Sequence, residues 1–223
     1  MGLDIDLRWD CAHHEDVVRW VQRRGQGSMR GYGPGYFDFV WASPPCVEYS
    51  QAKSVGERRW LEADERVAAA LRAIQYFRPK YFAIENPKGY LRHRPIMQGK
   101  LDGVYLPTLL QDVTYCKYGT QYMKPTNIWT NIPLSRPLKV CSAAHPCALR
   151  QKYGTHPRTA QSGPSANGTP GMGSAEAVYH LPDPLLDELF RHVEFGSEEA
   201  RAQAAQEWAQ ADTIWRVLAA AVW

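Results

Sequence analysis

The chain has 223 residues, enough for one sizeable domain or one domain with a small appendage. Hydrophobic residues make up 44% and charged residues 22%, an ordinary globular balance that argues against a disordered or fibrous chain. The formal net charge of +3 permits a nucleic-acid partner without demanding one.

Five cysteines in a chain this long do not make a disulfide scaffold. The opening "MGLDIDLRW" is charged from residue 4 onward and is no signal peptide. No apolar run approaches the ~20 residues that cross a bilayer. The expectation is a soluble intracellular protein from a reducing compartment, with no membrane partner.

In chain order, "GLDID" is compatible with a strand end, and "HEDVVRWVQRR" with a short helix or a strand. "GQGSMRGYGPG" (25–35) is a glycine-rich loop. "YFDFVWA" (36–42) and "YFAIEN" (81–86) are rich in aromatic and β-branched residues and read as buried strands. Between them Trp60, Val67, Leu71, Ile74 and Phe77 recur at helical spacing, predicting an amphipathic helix over about 57–77 that Pro79 ends. Strand, helix and strand of this length form a βαβ unit. "LLQDVTYCKYG" and "TNIWTN" supply two further strands. Residues 154–174 hold mostly turn formers and read as a loop or disordered insert. "PDPLLDELFRHV" is a helix. The tail from Ser197 reads as a long C-terminal helix, with Ser197 as its N-cap and a stripe of Ala204, Trp208, Trp215, Leu218 and Val222.

Ligands of an open α/β sheet sit beyond the carboxyl ends of its strands. Cys46 follows one such end in "SPPCVEYS", where Pro44 and Pro45 fix the backbone. A stiff loop holds a thiol in one place, as a nucleophile requires. "IENP" puts Glu85 at the end of the other strand, with Pro87 stiffening the exit. If the strands are neighbours, thiol and carboxylate share one crevice, which suits a covalent step with a hydrogen-bonded proton partner. A lone cysteine is more often a small buried hydrophobe, so the reading rests on the pair.

"SPPCVEYS" followed by "AIENPKGYLR" and "YCKYGTQYMKPTNIWTN" resembles the cytosine-5 DNA methyltransferases, in particular their short, phage- and algal-virus-like branch. The likeness runs over about residues 3–192. It implies a Rossmann-like sheet dependent on S-adenosylmethionine (SAM) and a DNA substrate. By that resemblance Cys46 attacks carbon 6 of a flipped-out cytosine, and Glu85 binds the base's N3 and 4-amino edge. Ser50 is then a loop or phosphate contact, Asn86 holds the loop geometry, and Lys124 replaces one arginine of a basic family motif. The compartment becomes the nucleus for a eukaryotic chain or the host cytoplasm for a viral one.

The family's glycine-rich SAM turn has no counterpart before Asp4, so the expected fold is an N-terminally truncated methyltransferase sheet. Three explanations compete: a truncated gene, a real partial copy, or a cofactor site completed by a second chain. The segments from Asp4 onward resemble the rest of the cofactor site. Asp4 or Asp6 matches the acid that binds the ribose hydroxyls, Asp16 the residue near the adenine amine, and Pro44 the cofactor side of the cysteine loop.

Cys116, Cys141, Cys147 and His156 supply three thiols and an imidazole for a tetrahedral structural zinc, with His156 preferred over His145. The C-x5-C-x8-H spacing with a remote cysteine is no standard finger, and three unrelated thiols is the competing reading. The expected division is a partial catalytic domain over 1–139, a short target-recognition or zinc-like insert over 140–174, and C-terminal helices over 175–223. Lys139, Arg150, Lys152 and Arg158 are candidate phosphate contacts or a solvated basic loop. Two alternatives to the methyltransferase stand: an inactive remnant serving as a DNA-binding or interaction module, and an exocyclic-amine methyltransferase. Cys46, where the latter's aromatic residue belongs, counts against it.

Overall fold

A computed structural model of the protein describes residues 3–4, 13–14, 16–22, 32–98, 109–197, 199–200 and 202–203. At the N-terminal end β1 (Leu3–Asp4) pairs in parallel with β2 (His13–His14), and α1 (Val17–Gln22) follows. The main sheet has four strands. They are β3 (Phe39–Ala42), β4 (Tyr81–Pro87), β5 (Leu109–Thr114) and β6 (Pro125–Thr130), in the order β3-β4-β6-β5. α2 (Trp60–Phe77) joins β3 to its parallel neighbour β4, as the βαβ reading requires. β6 enters antiparallel between β4 and β5, so the architecture is mixed α/β rather than purely parallel.

Alternation along the strands builds two cores. On one face Phe82, Ile84 and Trp129 pack against Val67, Leu71 and Ile74 of α2. Each such fully buried side chain contributes about 1.5–3 kcal/mol. On the other face Ala83, Val113 and Ile128 meet Tyr115, Tyr118 and Leu185 and Leu189 of the late helix α5 (Asp183–Phe190), which follows α3 (Ala148–Tyr153) and α4 (Ala175–Tyr179). α2 ends because Arg78 turns to φ 47° and its N–H still reaches the Ile74 carbonyl, with Pro79 next.

One expectation shifts. α2 starts at Trp60 rather than 57, because residues 58 and 59 are held by the cysteine loop: Glu48 accepts the Arg59 N–H, and the Arg58 guanidinium donates to the Glu48 and Ser50 carbonyls. The glycine-rich 154–174 segment is a loop folded on itself, with Thr159 N–H donating to Pro170 O and Met172 N–H to Gln161 O. At the C-terminus Ser197 Oγ accepts the Ala200 N–H, as an N-cap does, and residues 199–200 and 202–203 are helical. The rest of the expected long helix, with its tryptophan stripe, lies outside the described residues. Among the described residues no helix is long and apolar enough to cross a membrane.

Candidate active site

The chain leaves β3 through Ser43-Pro44-Pro45 and closes at once into a tight turn. The Cys46 carbonyl accepts N–H bonds from both Tyr49 and Ser50. Four contacts fix that turn. Asn86 Nδ2 donates to the Pro44 carbonyl at 2.9 Å, so the residue after Glu85 ties the two strand exits together. Tyr90 N–H donates to the Tyr49 carbonyl, with Gly89 so close that a Cβ there would overlap the same oxygen. Tyr49 Oη donates to Asp64 of α2, and Arg94 binds the same carboxylate through Nε and Nη2. The Arg58 guanidinium gathers loop carbonyls from the other side.

Glu85 is buried at the end of β4, and Lys124 is buried immediately before β6. Because β4 and β6 run antiparallel with Pro87 opposite Thr126, the two side chains meet at one end of the sheet. Lys124 Nζ lies 3.7 Å from Glu85 Oε1, and Tyr115 Oη donates to the same oxygen at 3.1 Å. Lys124 also donates to the Val178 carbonyl beside a cleft bounded by Gly119–Tyr122, Met172, Tyr179 and Leu181. Burial pushes the Cys46 thiol above the ordinary thiol range. The Glu85 carboxylate adds to that rise, and the Lys124 ammonium opposes it. The thiol therefore feels both members of the pair. Ser50 is half-buried, with its Oγ accepting the Ala52 N–H inside the loop.

Of the residues expected at the cofactor, Asp4 ends β1 opposite His14 at the end of β2. Asp16 follows two residues later and caps α1, its Oδ1 accepting the Val18 N–H. Asp6 lies outside the described residues. Tyr115 lies in a stretch that carries the family resemblance, but nothing in the sequence marks its hydroxyl for a role, and the Arg58 and Arg94 clamps carry no motif. Of the candidate phosphate contacts, Lys139 pairs with Glu188 at 2.7 Å and Arg158 donates to Gln121 and the Gly171 carbonyl, so both are engaged within the chain.

On the sheet's flank, the donor atoms of Cys116, Cys141, Cys147 and His156 all lie within 4.8 Å of one another. His145 stays exposed.

A family model for the C-5 cytosine-specific DNA methylases matches residues 26–122, the stretch that carries Cys46, Glu85 and Tyr115. The chain is 26% identical over 200 residues to a Frog virus 3 protein named "Probable DNA (cytosine-5)-methyltransferase", covering 83% of this chain and 86% of the viral one. The chain is similar to the cytosine-5 DNA methyltransferases over the stretch that holds the site. Against the Arabidopsis thaliana DNA (cytosine-5)-methyltransferase 2 it is 30% identical over 118 residues, 52% of this chain and only 7% of the plant protein. A crystal structure of a Spodoptera frugiperda DNMT2 mutant aligns over 63% of this chain and 47% of its own, with 13% identity and a TM-score of 0.38. These relatives thus range from a protein of similar extent to one of which this chain spans a small part.

Proposed function

We propose that the chain methylates carbon 5 of cytosine in DNA, with Cys46 as the nucleophile. The observation that carries this reading is the convergence of Cys46, Glu85 and Lys124 at one end of β3, β4 and β6. Carbon 6 of a stacked cytosine is out of reach of a thiol, so the target base leaves the duplex. The Cys46 sulfur forms a bond to carbon 6, and the displaced electron pair makes carbon 5 nucleophilic. Glu85, oriented by Tyr115, takes the N3 edge and favours its protonation. Carbon 5 gains a methyl group and loses its proton to a base. The carbon 5–carbon 6 double bond then re-forms as the carbon–sulfur bond breaks and frees Cys46. Because burial keeps the free thiol protonated, Lys124 is the fixed charge that favours the thiolate when the complex forms. Asn86 and Pro44 hold the loop in register, and Ser50 belongs to the loop's exit.

SAM supplies the methyl group as an electrophile when bound. In this reading Asp4 and Asp16 would hold its nucleoside end, and what supports that is their placement along the chain. β1 and β2 are parallel and in register, so Asp4 and the entry to α1 with Asp16 lie at the same, carboxyl, end of the pair. Ligands of α/β sheets lie beyond the carboxyl ends of the strands, and by the family resemblance one acid would meet the ribose hydroxyls and the other would lie near the adenine.

The test is a covalent trap. The protein is mixed with SAM and DNA carrying 5-fluorocytosine, whose fluorine cannot leave as a proton. A denaturant-stable adduct mapping to Cys46, lost in Cys46→Ala, is expected. Methyl transfer that survives Cys46→Ala would sink the mechanism.

A further inference from the structure

The four-ligand cluster on the sheet's flank is not used by the chemistry at Cys46. Its ligands come from separate pieces of chain: Cys116 from the 3-10 turn Tyr115–Tyr118, Cys141 from the coil after β6, Cys147 from the N-cap of α3, and His156 from just beyond that helix. The three thiols are buried and free of disulfides. A tetrahedral zinc centre, with Zn–S near 2.3 Å and Zn–N near 2.0 Å, has edges of about 3.5 Å between sulfur and nitrogen. The observed distances fall on either side: 3.3 Å from Cys147 Sγ to His156 Nε2 and 3.9 Å from Cys141 Sγ to the same nitrogen. Backbone contacts also hold the ligands in place. Cys147 N–H donates to Cys141 Sγ at 3.3 Å, and Cys141 N–H donates to Thr114 Oγ1 at 2.6 Å, fixing that ligand from behind.

We infer that Cys116, Cys141, Cys147 and His156 bind one structural Zn²⁺ ion that staples the 140–174 insert to the end of β5. Three thiolates and an imidazole are a soft donor set suited to zinc and unsuited to magnesium or calcium. Four protein ligands leave no open position, so the site holds structure and performs no chemistry. It has a consequence for the catalytic end of the sheet. Cys116 immediately follows Tyr115, whose hydroxyl holds Glu85. The ion anchors the turn that carries both.

The test uses the full chain. Protein purified under reducing conditions, without added metal or chelator, is analysed for metals by mass spectrometry. Metal-free protein is then titrated with Co²⁺. One zinc per chain is expected, and a cobalt spectrum with thiolate charge transfer and the intense visible bands of a tetrahedral site. Cys147→Ser and His156→Ala should lose zinc, while Cys46→Ala keeps the full equivalent. If Cys147→Ser fails to fold, His156→Cys still reports: it retains four ligands, and its cobalt charge-transfer band should strengthen. Trace metal that does not rise on adding zinc, a cobalt spectrum indifferent to both His156 variants, or a Cys141–Cys147 disulfide in the reduced preparation would each overturn the assignment. None of these readouts depends on methyl transfer, so failure of the adduct trap and failure of the metal site are told apart.

Discussion

Lys124 Nζ sits 3.7 Å from Glu85 Oε1, and both side chains are only 8% exposed. Removing two charges from water costs several kcal/mol each, and their mutual attraction roughly offsets it. As a stability device such a pair is poor. Its value is positional: it keeps a carboxylate at the end of β4, within electrostatic reach of Cys46.

Breaking the pair on one side should therefore be costly. Lys124→Met leaves Glu85 buried without its cation, and a loss of about 3–5 kcal/mol in unfolding free energy is expected. Adding Glu85→Gln should recover most of it, since the uncompensated charge goes too. Urea denaturation of the two single variants and the double variant measures this. A double variant no more stable than Lys124→Met would show that the cost is packing rather than charge.

The same pair sets the reactivity of Cys46. Burial first, then the Glu85 carboxylate, raises the thiol's pKa, and Lys124 lowers it. In the free protein Cys46 is thus a thiol at neutral pH, and its alkylation should accelerate only above the ordinary thiol range. Glu85→Gln removes a raising charge and should shift the alkylation profile to lower pH. Lys124→Gln removes the lowering charge and should shift it higher. Iodoacetamide labelling followed on the Cys46 peptide by mass spectrometry reads both shifts, and shifts of the same sign would contradict the geometry.

Gly89 is the tightest point behind the cysteine turn. Its φ of −166° suits any residue, but a Cβ there would overlap the Tyr49 carbonyl, a backbone atom that cannot swing aside. Gly89→Ala must displace the turn that Tyr90 N–H pins at 2.9 Å. The expected outcome is a folded protein destabilised by about 1–3 kcal/mol, as overpacking costs, with at least a tenfold slower adduct-forming step, as about 1 Å of misplacement implies. An unaltered rate would mean that the turn moves without carrying Cys46 with it.

Much of this was legible in the sequence, and the exceptions have physical causes. The β3–α2–β4 unit follows from two buried runs and one helical stripe, because short-range periodicity reports directly on burial. Cys46 and Glu85 become neighbours once those two strands pair. What periodicity cannot carry is pairing between distant segments. "LLQDVT" and "PTNIWT" read as strands, yet nothing local says that the later one inserts antiparallel beside β4 and so brings Lys124 to Glu85. The Tyr115 hydroxyl was invisible for the same reason, since its partner is 30 residues away. The early residues of the predicted helix failed differently: Arg58 and Arg59 have good helix propensity, but carbonyls and a carboxylate of the cysteine loop capture them.

Tyr115 offers a way to ask whether a metal at the proposed site reaches the Cys46–Glu85 end of the sheet. Among the described residues its hydroxyl is one of two groups aimed at Glu85 Oε1, and its neighbour Cys116 is one of the four proposed ligands. Tyr115→Phe removes a hydrogen bond to a charged group, a loss of about 1.5–3 kcal/mol. It should slow adduct formation without changing bound zinc. Stripping the metal from the wild-type protein should slow the same step by freeing the turn. If both act through Glu85, stripping the metal from Tyr115→Phe should add little further, since perturbations of one contact are not additive. Single-turnover adduct formation in the four states gives the coupling. Effects that simply multiply would mean that the metal holds the insert without touching Glu85, and would confine its role to structure alone.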